Sequence, residues 1–286
     1  MITIEILERG NPRLFDDTVT YLMQNEAMHC LQIGLLLQLD DPGMIDALWW
    51  IAKKSGRVVG VASVTPPHNL ILSIMASDGA VAAIAEYLRN SGNTLPGVIG
   101  PKPWSESFAT IWSSDQGSRL ELDLDLDEFV YSCSDVQFPD VMSGSARFAN
   151  ELDIPWMVNW LEQFYVDVGL EEEARLTDRG QTIHKKLRTG GFVLWLDDTG
   201  EVVSLAGYGN ATPNGIRVGP VYTPKEQRGK GYGVAVSAAV TQHLIDSGRS
   251  FVFLFTDANN PVSNHVYARV GYEVAGAFSV YRFQAA

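Results

Sequence analysis

A chain of 286 residues, 46% hydrophobic and 19% charged, is long enough for two globular domains and too apolar to remain disordered. Its formal net charge of −13 repels phosphate backbones and anionic headgroups, which sets aside nucleic-acid and membrane-surface roles and suits a cationic partner such as an amine. Cys30 and Cys133 stand far apart with no CxxC spacing, and the five histidines form no HxH or HExxH pair, so neither a disulfide framework nor a locally built zinc site is expected, and no metal.

The opening "MITIEILERG" has no basic segment followed by an apolar one, so no secretory signal is expected and the cytoplasm is the expected location. "CLQIGLLLQL" (30–39) is too short to cross a bilayer and reads as a buried or amphipathic helix. "LWWIAKKS" followed by "GRVVGVA" reads as a strand, a turn and a strand. "VAAIAEYLRNSG" (81–92) is a helix stopped by Ser-Gly. "LELDLDLDEF" (120–129) alternates leucines with acids, as a half-buried strand with a wet, charged face would. Pro, Gly and Ser cluster in "PDVMSGSA" (139–146), where a domain boundary is expected between residues 1–140 and 144–286. Helical spacing then runs over 152–169, with a second helix over 179–190. Strands follow near 192–197, 202–208 and 216–222, then a helix over 231–247, a strand over 251–256, a helix over 261–270 and a final strand pair within 272–284.

The two halves repeat. "GRVVGVA" (56–62) matches "GEVVSLA" (200–206), and each leads to a Thr-Pro pair, Thr65-Pro66 and Thr212-Pro213. "VAAIAEYLRNSG" matches "SAAVTQHLIDSG" (237–248). The Thr-Pro pairs are offset by 147 residues and the helices by 156, so the first copy is nine residues shorter between strand and helix. The missing stretch is "QRGKGYG", Gln227 to Gly233, where the first copy has "SIMASDGA" with one glycine and no cation.

That loop fails the Walker pattern, because Tyr232 follows Gly231, and the dinucleotide pattern GxGxxG, because Val234 holds its last position. Arg228-x-x-Gly231-x-Gly233 between a strand and a helix remains. Its glycines let N–H groups converge on one point, the next helix adds its N-terminal dipole, and Arg228 and Lys230 add charge; the set suits a pyrophosphate. A plain surface turn is the competing reading. Upstream, Gly219-Pro220 in "VGPVYTP" predicts a bulge or splay, since proline gives no hydrogen bond to a ladder.

From "VGPVYTPKEQRGKGYG" to "FLFTDANNPVSNHVYARVGY" the sequence resembles the GNAT N-acetyltransferase superfamily. Arg228, Gly231 and Gly233 meet its signature loop; Asn260 and Tyr267, seven residues apart, followed by Gly271-Tyr272, meet a second feature. The resemblance covers roughly 145–286 and implies tandem GNAT-like α/β domains: a mixed, mostly antiparallel sheet with a splayed central strand pair flanked by helices. It also implies acetyl-CoA as cosubstrate, held by Val221, Tyr222, Thr223, Arg228, Gly229, Lys230, Gly231, Tyr232, Gly233, Asn260, Ser263 and Asn264. N–H groups near Val221 would stabilise the developing oxyanion, and Tyr267 would protonate the leaving thiolate. Asn260 before Pro261 also reads as a helix N-cap.

The implied reaction moves an acetyl group to an amine, expected on a small molecule; acetylation of a protein lysine or N-terminus would need an open groove. Many members place a Glu on the splayed strand, and "GIRVGPVYT" has none. Glu162, Asp167, Glu171, Glu172 and Asp257 stand as candidate bases. The missing carboxylate supports an alternative, a coenzyme-A-binding regulatory or scaffolding protein without turnover. In the first copy Ile111 aligns with Tyr267 and Ser107 with Ser263, so that copy is expected not to bind coenzyme A. Oligomeric state is not legible.

Overall fold

The computed structural model describes residues 1–8, 10–40, 46–114, 120–139, 143–169 and 179–285. In chain order these form β1 (Ile2–Ile6), α1 (Pro12–Leu22), α2 (Cys30–Leu36), β2 (Leu48–Lys54), β3 (Arg57–Val64), β4 (Leu70–Leu72), α3 (Asp78–Asn90), β5 (Gly97–Pro101), α4 (Lys102–Ser114) and β6 (Leu120–Cys133). Then come β7 (Ser145–Phe148), α5 (Ile154–Asp167), α6 (Arg179–Thr189), β8 (Gly191–Leu196), β9 (Val202–Gly209), β10 (Gly215–Tyr222), α7 (Tyr232–Asp246), β11 (Phe251–Asp257), α8 (Pro261–Val270) and β12 (Glu273–Ala285).

Two compact units emerge, Met1–Val130 with Asp257–Asn259 and Val274–Ala286, and Tyr131–Thr256 with Asn260–Glu273. The expected ranges, 1–140 and 144–286, cut the chain once; compactness instead assigns the far end of the chain to the first unit. The expected final strand pair is one long strand, because no turn interrupts residues 273–285.

In the first unit the strand order is β1-β2-β3-β4-β5-β12-β6. Pairing is antiparallel for β1/β2, β2/β3, β3/β4 and β5/β12, and parallel for β4/β5. Period-2 alternation builds two cores. Trp50, Ala52, Ala62 and Val64 face Ile84, Leu88, Phe108 and Trp112 of α3 and α4. Trp49, Ile51 and Val61 face Leu14, Leu22, Ile33 and Leu36 of α1 and α2. Burial of both faces explains the near-continuous apolar run of β2. Of the acids in β6, the side chains of Glu121, Asp123 and Asp125 lie outside the described residues; Asp127 departs from the expected wet face, half-buried and accepting from Lys102 Nζ of α4 and Ser279 Oγ of β12, so it ties these elements together. Cys30 and Cys133 are buried and form no disulfide.

In the second unit the strands run β11-β10-β9-β8-β7. The β10/β11 pair is parallel and β9/β10, β8/β9 and β7/β8 are antiparallel. Ile154, Met157 and Leu161 of α5 and Ile183 of α6 pack on Phe192, Leu194, Leu205 and Tyr222. The repeat inferred from sequence reappears in helix endings. α3 and α7 both close on a serine C-cap, Ser91 and Ser247. In both, a glycine with positive φ follows, Gly92 at 70° and Gly248 at 99°, the left-handed exit that glycine adopts without strain.

Candidate functional site

The central feature of the second unit is the divergence of β10 from β11. Their parallel register holds at Gly215↔Phe251, Ile216↔Val252 and Arg217↔Phe253, and ends there. On its other edge β10 slips against β9 between Val218 and Val221. Gly219 sits in the slip with φ +145°, a conformation open to glycine, and Pro220 beside it lacks the N–H a regular ladder would use. The bulge and splay expected from Gly219-Pro220 are present. Beyond them, Tyr222 carbonyl accepts from Ser204 Oγ at 3.0 Å and Thr223 carbonyl from Arg228 Nε at 2.9 Å.

The glycine loop follows. Gly229 and Gly231 have φ +78° and +85°, and a Cβ on either would meet nothing within 4 Å. The glycines are thus demanded by backbone angle, and their open side leaves room for a ligand. Gly231 is the left-handed N-cap of α7 and offers no side-chain cap, so the first-turn N–H groups, from Tyr232, Gly233 and Val234, point outward for an external acceptor. Lys230 and Arg269 line a cavity of 180 Å³ together with Gly231, Tyr232, Val234 and Ala235. Lys230 Nζ donates to Gln227 Oε1 at 2.8 Å, a neutral partner. Arg269, the penultimate residue of α8, was not singled out from sequence; its only signal was a cation just before Gly271-Tyr272, and that is too common to stand out.

Arg228 has partners within the chain. Its guanidinium binds Asp167 of α5 and lies 5.8 Å from the Tyr222 ring centre, while Lys225 reaches the same carboxylate at 3.1 Å. Burial, the largest influence, raises the pKa of Asp167, but the bonds from Arg228 and Lys225 outweigh it and hold the pKa below the ordinary value. Asp167 is therefore held as a carboxylate, ion-paired to the loop. Of the other acids, Asp257 accepts from Asn259 N–H in a turn, Glu162 is exposed, and Glu171 and Glu172 lie outside the described residues.

On α8, Asn260 Oδ1 accepts from Ser263 N–H at 3.1 Å, the expected N-cap; Ser263 and Asn264 follow on the first turn, half-buried. Tyr267 lies 6.2 Å from the Tyr131 ring and 5.8 Å from Tyr272. Desolvation among these rings pushes its pKa up to about 12. Its O–H makes no hydrogen bond among the described residues, so the proton is both retained at neutral pH and unspent.

Sequence reasoning passed over Lys186. It lies on α6 in "RGQTIHKKLRTG", which sequence reasoning read only as a helix. In the structure it is half-buried, and Nζ donates to Gly219 carbonyl at 2.6 Å, in the bulge itself. Its Nζ also lies 5.7 Å from the Phe192 ring centre. A Cβ on Gly207 would come within 2.9 Å of Lys186 Cε and 3.0 Å of Gly219 carbonyl. Glycine there clears the lysine's path. Burial, then the field of Arg217, lowers its pKa to about 8.

No helix among the described residues is long and apolar enough to cross a membrane, and no group of three His, Cys, Asp or Glu among them is placed to hold a metal ion.

Residues 154–272 match the acetyltransferase (GNAT) family model. Over 147 residues, 47% of this chain and 83% of the relative, the sequence is 28% identical to L-methionine sulfoximine/L-methionine sulfone acetyltransferase of Pseudomonas aeruginosa, and equally to that of Pseudomonas paraeruginosa. Among solved structures, a GNAT N-acetyltransferase of Sphaerobacter thermophilus superposes with a TM-score of 0.61 at 17% identity, over 98% of this chain and 95% of that one. A tandem GNAT protein from the clavulanic acid biosynthesis pathway gives 0.56 at 13% identity, over 98% of both chains. The likeness to solved structures extends a tandem GNAT fold over the chain, and the match to the acetyltransferase family model covers residues 154–272 of its second half.

Proposed function

We propose, for a chain whose residues 154–272 match the GNAT acetyltransferase family model, that the second unit transfers an acetyl group from acetyl-CoA to the amine of a small molecule. The observation that carries this reading is the uncapped N-terminus of α7, entered through two left-handed glycines and set after a splayed strand. A relative named for L-methionine sulfoximine and L-methionine sulfone supports a small acceptor, and the acidic composition supports an amine over an anionic polymer.

In this reading the N–H groups of Gly229, Lys230, Gly231, Tyr232 and Gly233 take the pyrophosphate, with Lys230 and Arg269 supplying charge and Arg228, pinned by Asp167, fixing the loop's shape. The backbone of Val221, Tyr222 and Thr223 lines the pantetheine arm, and Asn260, Ser263 and Asn264 border it. Acetyl-CoA supplies an activated thioester whose C–S bond breaks as the C–N bond forms. Val221 N–H steadies charge on the carbonyl oxygen. Tyr267 gives its proton to the departing sulfur, a task for which a group still protonated at neutral pH is suited. The amine's proton leaves by water, since β10 has no carboxylate and Asp167 is ion-paired.

That same missing carboxylate favours a second reading, a coenzyme-A-binding regulator without turnover. Calorimetric titration with acetyl-CoA, on wild type and on Arg228→Glu/Gly231→Asp, tests the shared premise: micromolar binding lost in the variant is expected, and no binding by wild type overturns both readings. Thiol release with a panel of amines then separates them. Acceptance of small-molecule amines rather than peptide lysines or N-termini, action as a cytoplasmic enzyme, and indifference to nucleic acid, membranes and metals belong to the same proposal. A first unit that supports the second without binding coenzyme A completes it.

A further inference from the structure

Lys186 brings a second cation into view. Arg217 pairs with Gly209 across β9/β10, and directly paired residues put their side chains on one face of a sheet. A Cβ on Gly209 would point to within 4.0 Å of Lys186 Nζ, so Lys186 and Arg217 share that face. The Arg217 guanidinium lies 5.1 Å from the ring centre of Phe255, further along β11 toward the splay. Both charges therefore gather where the two strands part.

Neither has a carboxylate partner among the described residues. Lys186 donates to a neutral carbonyl, and Arg217 rests on an aromatic ring. The ionisable groups on elements packed against α6 are Glu162, Tyr165 and Asp167 on α5, Tyr208 on β9, and Arg217 and Tyr222 on β10; β8 has none. Asp167 is taken by Arg228 and Lys225, Tyr222 O–H donates to Gln163, and Tyr208 leans on His243 of α7. Of all of them only Arg217 acts on Lys186, and it repels.

The structural task alone does not need this charge. The first unit performs it with a neutral side chain. Gln32 of α2 donates through Nε2 to Ile71 carbonyl of β4 at 3.1 Å and to Ser63 Oγ of β3 at 3.3 Å, and Ser63 takes the place that Gly207 has in the second hairpin. An ammonium beside a guanidinium, both half-withdrawn from water and uncompensated, is costly unless something negative arrives.

We infer that Lys186 and Arg217 are the anion-reading part of the acceptor site, so that the acceptor is an amine that also bears a carboxylate, as a free α-amino acid does. This rests on the transferase reading for the word acceptor, while anion binding can be measured without turnover. The two cations hold the carboxylate and so orient the amine; they are positioning residues for the reaction. With the pKa of Lys186 lowered to about 8 by burial and Arg217, carboxylate binding is expected to be strongest below that pH and to weaken as pH rises through it.

The test is calorimetric titration with a panel of α-amino acids and their N-acetyl derivatives, each against its carboxamide, at pH 7 and pH 9.5, alongside acetyl-CoA. Wild type is expected to bind some acid at least tenfold more tightly than its amide at pH 7, with the advantage shrinking at pH 9.5. Lys186→Gln, which copies Gln32, and Arg217→Gln should each erase the preference and leave amide affinity unchanged, with thermal unfolding confirming the fold. Acid and amide bound alike, no member bound, or variants that weaken both equally would overturn the inference. Acetyl-CoA binding with no acid preference sinks this inference alone; acid preference without acetyl-CoA binding sinks the transferase reading alone.

Discussion

Two stretches of the molecule start from the same plan and end differently. In the first unit β4 stays in register with β3, and Ser73–Ser77 lead directly to α3. The backbone beyond β4 is occupied by the unit's own side chains: Ile74 N–H donates to His29 Nε2 at 2.9 Å, and Ile74 carbonyl accepts from Tyr21 O–H at 2.8 Å. His29 Nδ1 bonds Leu22 carbonyl at 2.7 Å, and burial holds its pKa below the ordinary value, so the ring sits neutral as a structural bridge. α3 then opens with Asp78 in its first turn, which repels anions. In the second unit β10 slips register, Thr223–Gly231 intervene, and α7 opens with glycines and no acid. Under the proposed function, the difference teaches that the edge left to take a ligand is the one the chain stops satisfying internally, facing a helix with no acid in its first turn.

The largest expected effect from breaking this contrast is at Tyr267, whose counterpart Ile111 packs in the first unit's core. Tyr267→Phe should lower kcat for acetyl transfer by about 100-fold, the low end for a lost general acid, with acetyl-CoA affinity unchanged by calorimetry; a kcat within a factor of two of wild type would remove Tyr267 from the chemistry. Next, Gly207→Ser installs the first unit's residue where Lys186 passes. The added atoms meet Phe192, Lys186 and Gly219, and a loss of about 2 kcal/mol is expected for such overpacking, read from urea unfolding. Lys230→Asp gives α7 the acid that α3 has; acetyl-CoA affinity should fall roughly tenfold, about one charge-assisted contact, and less at high salt.

The smallest effect concerns pH. Lys186 has a folded pKa lowered to about 8 from 10.5, so between those values the unfolded chain holds more protons and stability rises with pH. Wild type should therefore gain on Lys186→Gln between pH 8 and 10.5. A difference between the two proteins that stays flat across that window would mean the lysine is better solvated than its burial implies.

Much of the second unit was legible because its signals are local. Glycine spacing, Pro220 and the Asn260-Pro261 cap each constrain backbone angles at their own position, and the structure follows them at Gly219, Gly229, Gly231 and Asn260. What escaped depends on distant partners. Lys186 differs from Lys185 only in which side of α6 meets Gly219. Asp167 looked free until Arg228 and Lys225 closed on it. Asp127 of β6 read as part of a wet face because Ser279, which meets it, arrives from far along the chain. The last strand read as a hairpin because nothing in "EVAGAFSVYRFQA" tells that its neighbours are β5 and β6.

That last strand also sets an order of manufacture. β12 lies between β5 and β6 in the first unit, pairing Phe278 with Pro101 and Arg282 with Gly97. A ribosome emits β5 early and its partner only after every residue of the second unit. The half that is made first is therefore finished last. Until then β5 keeps an open edge of the kind that invites pairing with other chains. Closure of the first unit therefore waits for β12, and a product ending between residues 140 and 273 is left with β5 unpaired on that edge.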